Sequence, residues 1–130
     1  MVNELDLNGQ VMFFKEITDD LKNALVAKSN IFVMPSIKYK SSVEGFGIAY
    51  IEAAQYGVPS LGGADGGAAD AIQHDKTGLI CDGNNLDEIY SSLNSMIENK
   101  KYLHFGKKAK ELSSKFDWSN TIEQYKKILT

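Results

Sequence analysis

The sequence predicts an α/β protein in which a parallel sheet is wrapped by helices. Two observations predict it. Short apolar runs alternate four times with segments of helical period, the pattern of a parallel sheet covered by helices. The runs are stopped by turn residues, as at Pro35 and the glycines that follow Leu61. No internal repeat, low-complexity tract or linker interrupts the alternation.

Taken in order, "QVMFFKEI" (Gln10–Ile17) follows the turn residues Asn8-Gly9 and reads as the first strand. Thr18 is a plausible helix cap, and "DDLKNALVAKS" carries Leu21, Ala24, Leu25 and Lys28 at helical spacing. "NIFVMPS" (Asn30–Ser36) is a second buried strand, stopped by Pro35. The polar loop "IKYKSSV" leads to an apolar helix that Gly57 ends as its C-cap. "VPSLGG" is a short strand, "GAADAIQH" a short helix, "TGLICD" another strand and "NLDEIYSSLNSMIENK" a long amphipathic helix. Two more helices follow, near Lys101–Lys115 and Trp118–Leu129.

At 130 residues the chain is one domain at most. The 43% apolar and 24% charged content is that of an ordinary globular protein. Net charge is −3 and all 14 basic residues are lysines, which argues against a dedicated nucleic-acid binder. Cys81 is the only cysteine, so a reducing, cytoplasmic setting fits. The N-terminus lacks the basic-then-apolar layout of a signal peptide, and no apolar run approaches the roughly 20 residues of a membrane helix. Contact with a membrane surface stays open. Four short strands are fewer than the five or six of a doubly wound nucleotide-binding domain. The expectation is a partial domain spanning residues 1–130, its N-terminal strands cut away or carried on another chain.

The stretch "VEGFGIAYIEAAQYG" (Val43–Gly57) concentrates the chemistry. Glu44 stands before a Gly-x-Gly turn, and Glu52 sits inside an otherwise apolar helix. In open α/β sheets ligands bind beyond the carboxyl ends of the strands. The backbone amides of Gly45, Phe46, Gly47 and Ile48 would there face a phosphate, helped by the helix dipole. Eight helical steps separate the glutamates by roughly 12 Å, about the span from the sugar of a nucleotide sugar across its diphosphate to the ribose. Glu44 would then grip the sugar and Glu52 the ribose. The plainer alternative is an acid that merely favours a helix N-terminus, with Glu52 at the edge of a buried face.

With these residues the sequence resembles the donor-binding region of the group 1 (family 4) retaining glycosyltransferases of GT-B fold. The marker is a Glu, seven residues, then a second Glu, the first inside Glu44-Gly45-Phe46-Gly47. Gly57-Val58-Pro59, Gly66-Gly67 and Thr77-Gly78 follow in the family's order, and "FDWSNTIEQYKKIL" resembles its C-terminal helix. The resemblance runs from Val11 to Leu129. It implies the C-terminal, Rossmann-like half of a GT-B enzyme that takes a UDP- or GDP-sugar. Transfer would proceed with retention and without metal or other cofactor, to a glycan or lipid acceptor held by an N-terminal domain or a second chain. Polysaccharide or glycolipid assembly is the implied setting. Carried over, Glu44 is the catalytic contact to the sugar, Glu52 holds the ribose, and the backbone at Phe46, Gly47 and Ile48 meets the diphosphate and sugar, with Gly45 beside them in the donor-binding turn. The segment around Ile17 and Asp19 would lie near the base.

The departures carry equal weight. Lys15 stands where the family usually has Gly, and Asp70 where Glu is common. The family's Arg and Lys, which neutralise the leaving diphosphate, have no counterpart, since the chain contains no Arg. Lys38 and Lys40 are the candidates to replace them, although solvated loop charges are the plainer reading. His74 and His104 read as surface residues, Cys81 as packed at a strand end, and Trp118 as burying the last helix. Two alternatives accompany the enzyme reading. One is a non-catalytic nucleotide-sugar-binding subunit completed by a partner, and the other is a truncated remnant.

Overall fold

The computed structural model describes residues 1–40, 45 and 47–129. Helix α1 (Asp19–Lys28) is followed by β1 (Phe32–Met34), α2 (Ile48–Gln55), β2 (Ser60–Gly63), α3 (Ala68–Ala71) and β3 (Gly78–Cys81). The chain closes on α4 (Leu86–Ile97), α5 (Lys101–Ser113) and α6 (Trp118–Leu129), with short 3-10 turns on either side of α5. The strands form one parallel sheet in the order β1-β2-β3, with Val33 opposite Leu61 and Leu61 opposite Leu79.

Alternation along the strands supplies two cores, one on each face. Tyr50, Ile51, Ala68, Ala71 and Ile72 pack on one face with Phe32, Met34 and Ile80. Leu61, Leu79, Cys81, Met96 and Phe105 pack on the other with Ile31, Ile89 and Leu93. Helices α2 and α3 therefore cover one face, and α4 and α5 the other. The central strand β2 is buried at all four positions.

Local signals explain three helix ends. The Thr18 hydroxyl accepts from Leu21 N at 3.3 Å, and Asn85 Oδ1 from Glu88 N at 3.1 Å, so α1 and α4 start on side-chain caps. Gly57, at φ +74°, lies one residue beyond the cap Tyr56. Its amide donates to Ala54 O, and that of Val58 to Ala53 O, which satisfies the last carbonyls of α2.

The predicted strand at Gln10–Ile17 does not form, so the sheet has three strands and not four. Among the described residues this segment's sheet pairing is limited to an isolated bridge between Asn8 and Val11, and Met12 and Phe13 are exposed. In the usual doubly wound order 3-2-1-4-5-6, the run β1-β2-β3 matches places 4-5-6. A strand just before α1 would take place 3, separated from β1 by two further strands, and the described residues offer it no neighbour. Apolar content without a hydrogen-bonding partner does not make a strand. The predicted last-helix burial also fails at Trp118, which is 78% exposed. Of that region it is Phe116 that reaches the α2–α3 core.

The two sheet edges are treated differently. Along β3, Asp75 N donates to Gly78 O, Ile80 N to His74 Nδ1 and Asp82 N to Glu88 Oε1, which occupies the edge with the chain's own groups. The predicted burial of the other edge strand fails: no residue of β1 is fully buried and Val33, in its middle, is 44% exposed, because β1 has a strand neighbour on one side only among the described residues.

Tyr50 joins α2 to the sheet. Its ring is buried edge-on against Phe32 at 6.0 Å, and its hydroxyl donates to Met34 O at 2.6 Å. Tyr50→Phe is expected to lower stability by about 1 kcal/mol, the net worth of one such hydrogen bond, read as a lower denaturant midpoint with an unchanged slope.

Candidate functional site

The carboxyl ends of the strands build the candidate site. The Tyr50–Met34 bond sets the first turn of α2 at the end of β1. The chain leaving β1 then crosses the end of β2, where Ser36 backbone lies directly over the α-carbon of Gly63. One further bond, Lys38 N to Asp65 Oδ2 at 2.9 Å, ties this loop to the one after β2.

Helix α2 begins unlike α1 and α4. Its cap is Gly47, left-handed at φ +77°, with no side-chain hydrogen bond and no acid in the first turn. The cap is buried, and a Cβ there would stand 2.6 Å from the Tyr50 ring. Only glycine meets both conditions. Among the described residues no carboxylate or hydroxyl satisfies its N-terminal amides, and Tyr50 N donates only to Gly47 O, so the positive dipole end is left open. Ile48, at 67% exposure, marks the open side.

Glu52 lies one turn further along the exposed side of α2. Its side chain is about half exposed and its Oε2 accepts from Lys22 Nζ at 3.3 Å. Lys22 also stands 3.7 Å from Asp19. The fold therefore joins the α1 start, including the base-proximal candidate Asp19, to Glu52 through one ammonium. Ile17 sits just before the cap of α1 and is partly buried. Gly45 is exposed. Glu44 and Phe46 lie outside the described residues. Helix α2 starts at Ile48 behind a left-handed Gly47, so it supplies the four steps from Ile48 to Glu52, about 6 Å, and the expected helical run of eight steps is not continuous.

Lys22 is the residue that sequence reasoning missed. Its i,i+3 relation to Asp19 was visible, but its contact with Glu52 lies 30 residues away in sequence. Of the loop lysines, Lys40 Nζ sits 5.3 Å over the Tyr39 ring, a cation–π contact. Beside the first turn of α2, Ile48 and Ile51 line an apolar cavity of about 380 Å³ with Phe116, Trp118 and Thr121. Cys81 is buried, and burial first, then Glu88 and Asp82, pushes its thiol pKa up, which makes it a packing residue and not a nucleophile. His74 and His104 are both exposed. Among the described residues no group of three or more His, Cys, Asp or Glu side chains could hold a metal ion. None of the described helices is long and apolar enough to cross a membrane.

Among the described residues, an open helix N-terminus thus lies at the carboxyl ends of the parallel strands, where open α/β sheets bind their ligands. The family "Glycosyl transferases group 1" matches residues 1–112, and the chain belongs to that family. It is 31% identical over 99 residues to a GDP-mannose-dependent α-(1-6)-phosphatidylinositol monomannoside mannosyltransferase of Mycobacterium tuberculosis, covering 75% of this chain and 26% of that one. It is 27% identical to an N-acetyl-α-D-glucosaminyl L-malate synthase of Bacillus anthracis, covering 98% of this chain and 32% of the other. Among solved structures, Anabaena HepE in complex with UDP superposes with a TM-score of 0.83 at 23% identity, over 98% of this chain and 34% of that one. The chain thus spans about a quarter to a third of the length of these relatives, and its fold is that of part of a GT-B glycosyltransferase.

Proposed function

We propose that the chain supplies the nucleotide-sugar-binding part of a retaining glycosyltransferase. The observation that carries this reading is the pairing of an uncapped α2 N-terminus with Glu52 one turn behind it. The diphosphate of a UDP- or GDP-sugar lies on the amides of Gly47 and Ile48, together with those of Gly45 and Phe46 in the family's pattern. Glu52 accepts hydrogen bonds from the ribose hydroxyls, with Lys22 holding the carboxylate in place. Glu44 contacts the sugar, and the α1 start at Ile17 and Asp19 borders the base. As the bond from the anomeric carbon to the diphosphate breaks, negative charge grows on the leaving group, and the helix end stabilises it without a metal. The acceptor, a glycan or lipid in polysaccharide or glycolipid assembly, binds elsewhere in the complete enzyme. Relatives that are GDP-mannose-dependent and a structural neighbour crystallised with UDP leave both bases as candidates.

Calorimetric titration of UDP, GDP, UDP-glucose and GDP-mannose into the chain and into its Glu52→Ala variant tests the reading. The Lys22–Glu52 pair is about half exposed, so it contributes only about 0–1 kcal/mol to stability and the variant stays folded. Losing the ribose contacts is expected to weaken binding by about tenfold or more, at about 1.5–3 kcal/mol per hydrogen bond to a charged group. Equal affinity in both proteins would contradict the assignment of Glu52.

A further inference from the structure

The C-terminal part of the chain differs in charge from the rest. Residues 100–130 hold eight lysines against three acids, whereas residues 1–99 hold six lysines against fourteen. Part of this basic excess converges on a cavity. The space, about 370 Å³, lies between α5 and the turn that precedes β3, and its lining includes Lys76, His104, Lys108 and Lys115. Glu111 is the one acid in that lining, and it pairs with Lys108 at 3.1 Å. Among the described residues Lys76 and Lys115 enter no ion pair.

Placement separates this cavity from the donor site. Gln73–Thr77 lead into β3, so the cavity sits at the amino ends of the parallel strands, whereas α2 starts at their carboxyl ends. One wall is rigid. Thr77 is buried, and its hydroxyl accepts from Gln73 N at 2.9 Å. The amides of Lys76 and Thr77 both donate to Gln73 O. This turn holds Lys76 at a fixed place on the rim. The other wall is one face of α5, where His104, Lys108 and Glu111 recur at helical spacing and Lys115 follows one turn on.

We propose that this cavity binds a phosphate monoester group. Ammonium groups facing a concavity focus positive field there, and phosphate answers with charge-assisted hydrogen bonds. Lys76 and Lys115 engage the phosphate from opposite walls, and Lys108 joins when it exchanges Glu111 for the ligand. The phosphate comes either from a free metabolite or from a lipid headgroup. The proposal does not depend on the donor-site reading.

The test uses the full chain, its Lys76→Gln/Lys115→Gln variant and its Glu52→Ala variant, each checked for an unchanged denaturation midpoint. One arm titrates inorganic phosphate and glucose 6-phosphate, following the amide resonances of Lys76 and Thr77. The other sediments phosphatidylcholine vesicles with and without phosphatidic acid. Binding in either arm that weakens at least tenfold in the double lysine variant, and persists in Glu52→Ala, supports the site and names its source. Absence of binding in both arms, or binding indifferent to the lysine pair, overturns it. Phosphate binding lost in Glu52→Ala but kept in the lysine variant would place the ligand at α2, and the proposal would fail while the donor reading stood.

Discussion

Gly47→Ala is expected to cost the protein about 2–4 kcal/mol and to weaken nucleotide binding in the same step. The first part of the loss is backbone conformation. At φ +77° a residue with a Cβ loses roughly 1–2 kcal/mol relative to glycine. The second part is collision, because the added methyl meets the Tyr50 ring at 2.6 Å. That ring cannot swing aside freely, since it is buried against Phe32 and bonded to Met34 O. Either the ring leaves its place, opening the α2–sheet contact, or the first turn of α2 shifts. Both move the amides proposed to hold the diphosphate. Urea denaturation measures the first effect and nucleotide titration the second. A midpoint within error of the parent would show that the helix start is more plastic than its packing implies.

Gly63→Ala is expected to be at least as severe, about 3 kcal/mol or more, at the upper end of overpacking effects. Its Cβ would enter the space of the Ser36 carbonyl and amide. The obstacle is backbone, so no rotamer change relieves it. Relief requires the loop after β1 to lift from the end of β2, which strains the Lys38–Asp65 bond that holds the loop down. Against a total stability of about 5–15 kcal/mol for a folded domain, this loss is large. Gly45→Ala is the internal control: among the described residues nothing lies within 4 Å of its added Cβ, and its stability is expected to stay within about 0.5 kcal/mol of the parent. If Gly63→Ala matched Gly45→Ala, the close crossing of the two loops would not be a feature of the folded protein.

The elements that were legible in the sequence are those with local causes. Thr18 caps α1 with its own side chain and Gly57 closes α2 through a left-handed residue, each needing only neighbours within a few positions, whereas the Asn85 cap of α4 was equally local but not picked out. Buried strands β2 and β3 were legible because an apolar run between turn residues has few other folds to adopt. The candidate site was legible in part. Glycine spacing marked the start of α2, and an acid in an apolar helix marked Glu52. That Glu52 is half exposed and bound to Lys22 was not visible, because the pair is made by α1 and α2 meeting across a strand.

Residues 10–17 show the opposite case. Val11, Met12, Phe13 and Phe14 have the composition of a strand, yet a strand exists only as a member of a hydrogen-bonded sheet. Trp118 repeats the lesson for a helix: α6 forms on local propensity and period, but burial of its indole depends on what stands opposite. The sequence by itself determined the helices, the Thr18 cap of α1 and the Gly57 end of α2, the buried strands β2 and β3, and the membership in a glycosyltransferase family. Only the tertiary structure decided how many strands pair, that Lys22 holds Glu52, and that lysines from a turn and from α5 share one cavity. The reason is physical: caps, turns and periodicity act over a few residues, whereas pairing, salt bridges and cavities are made by groups that meet only after the chain has folded.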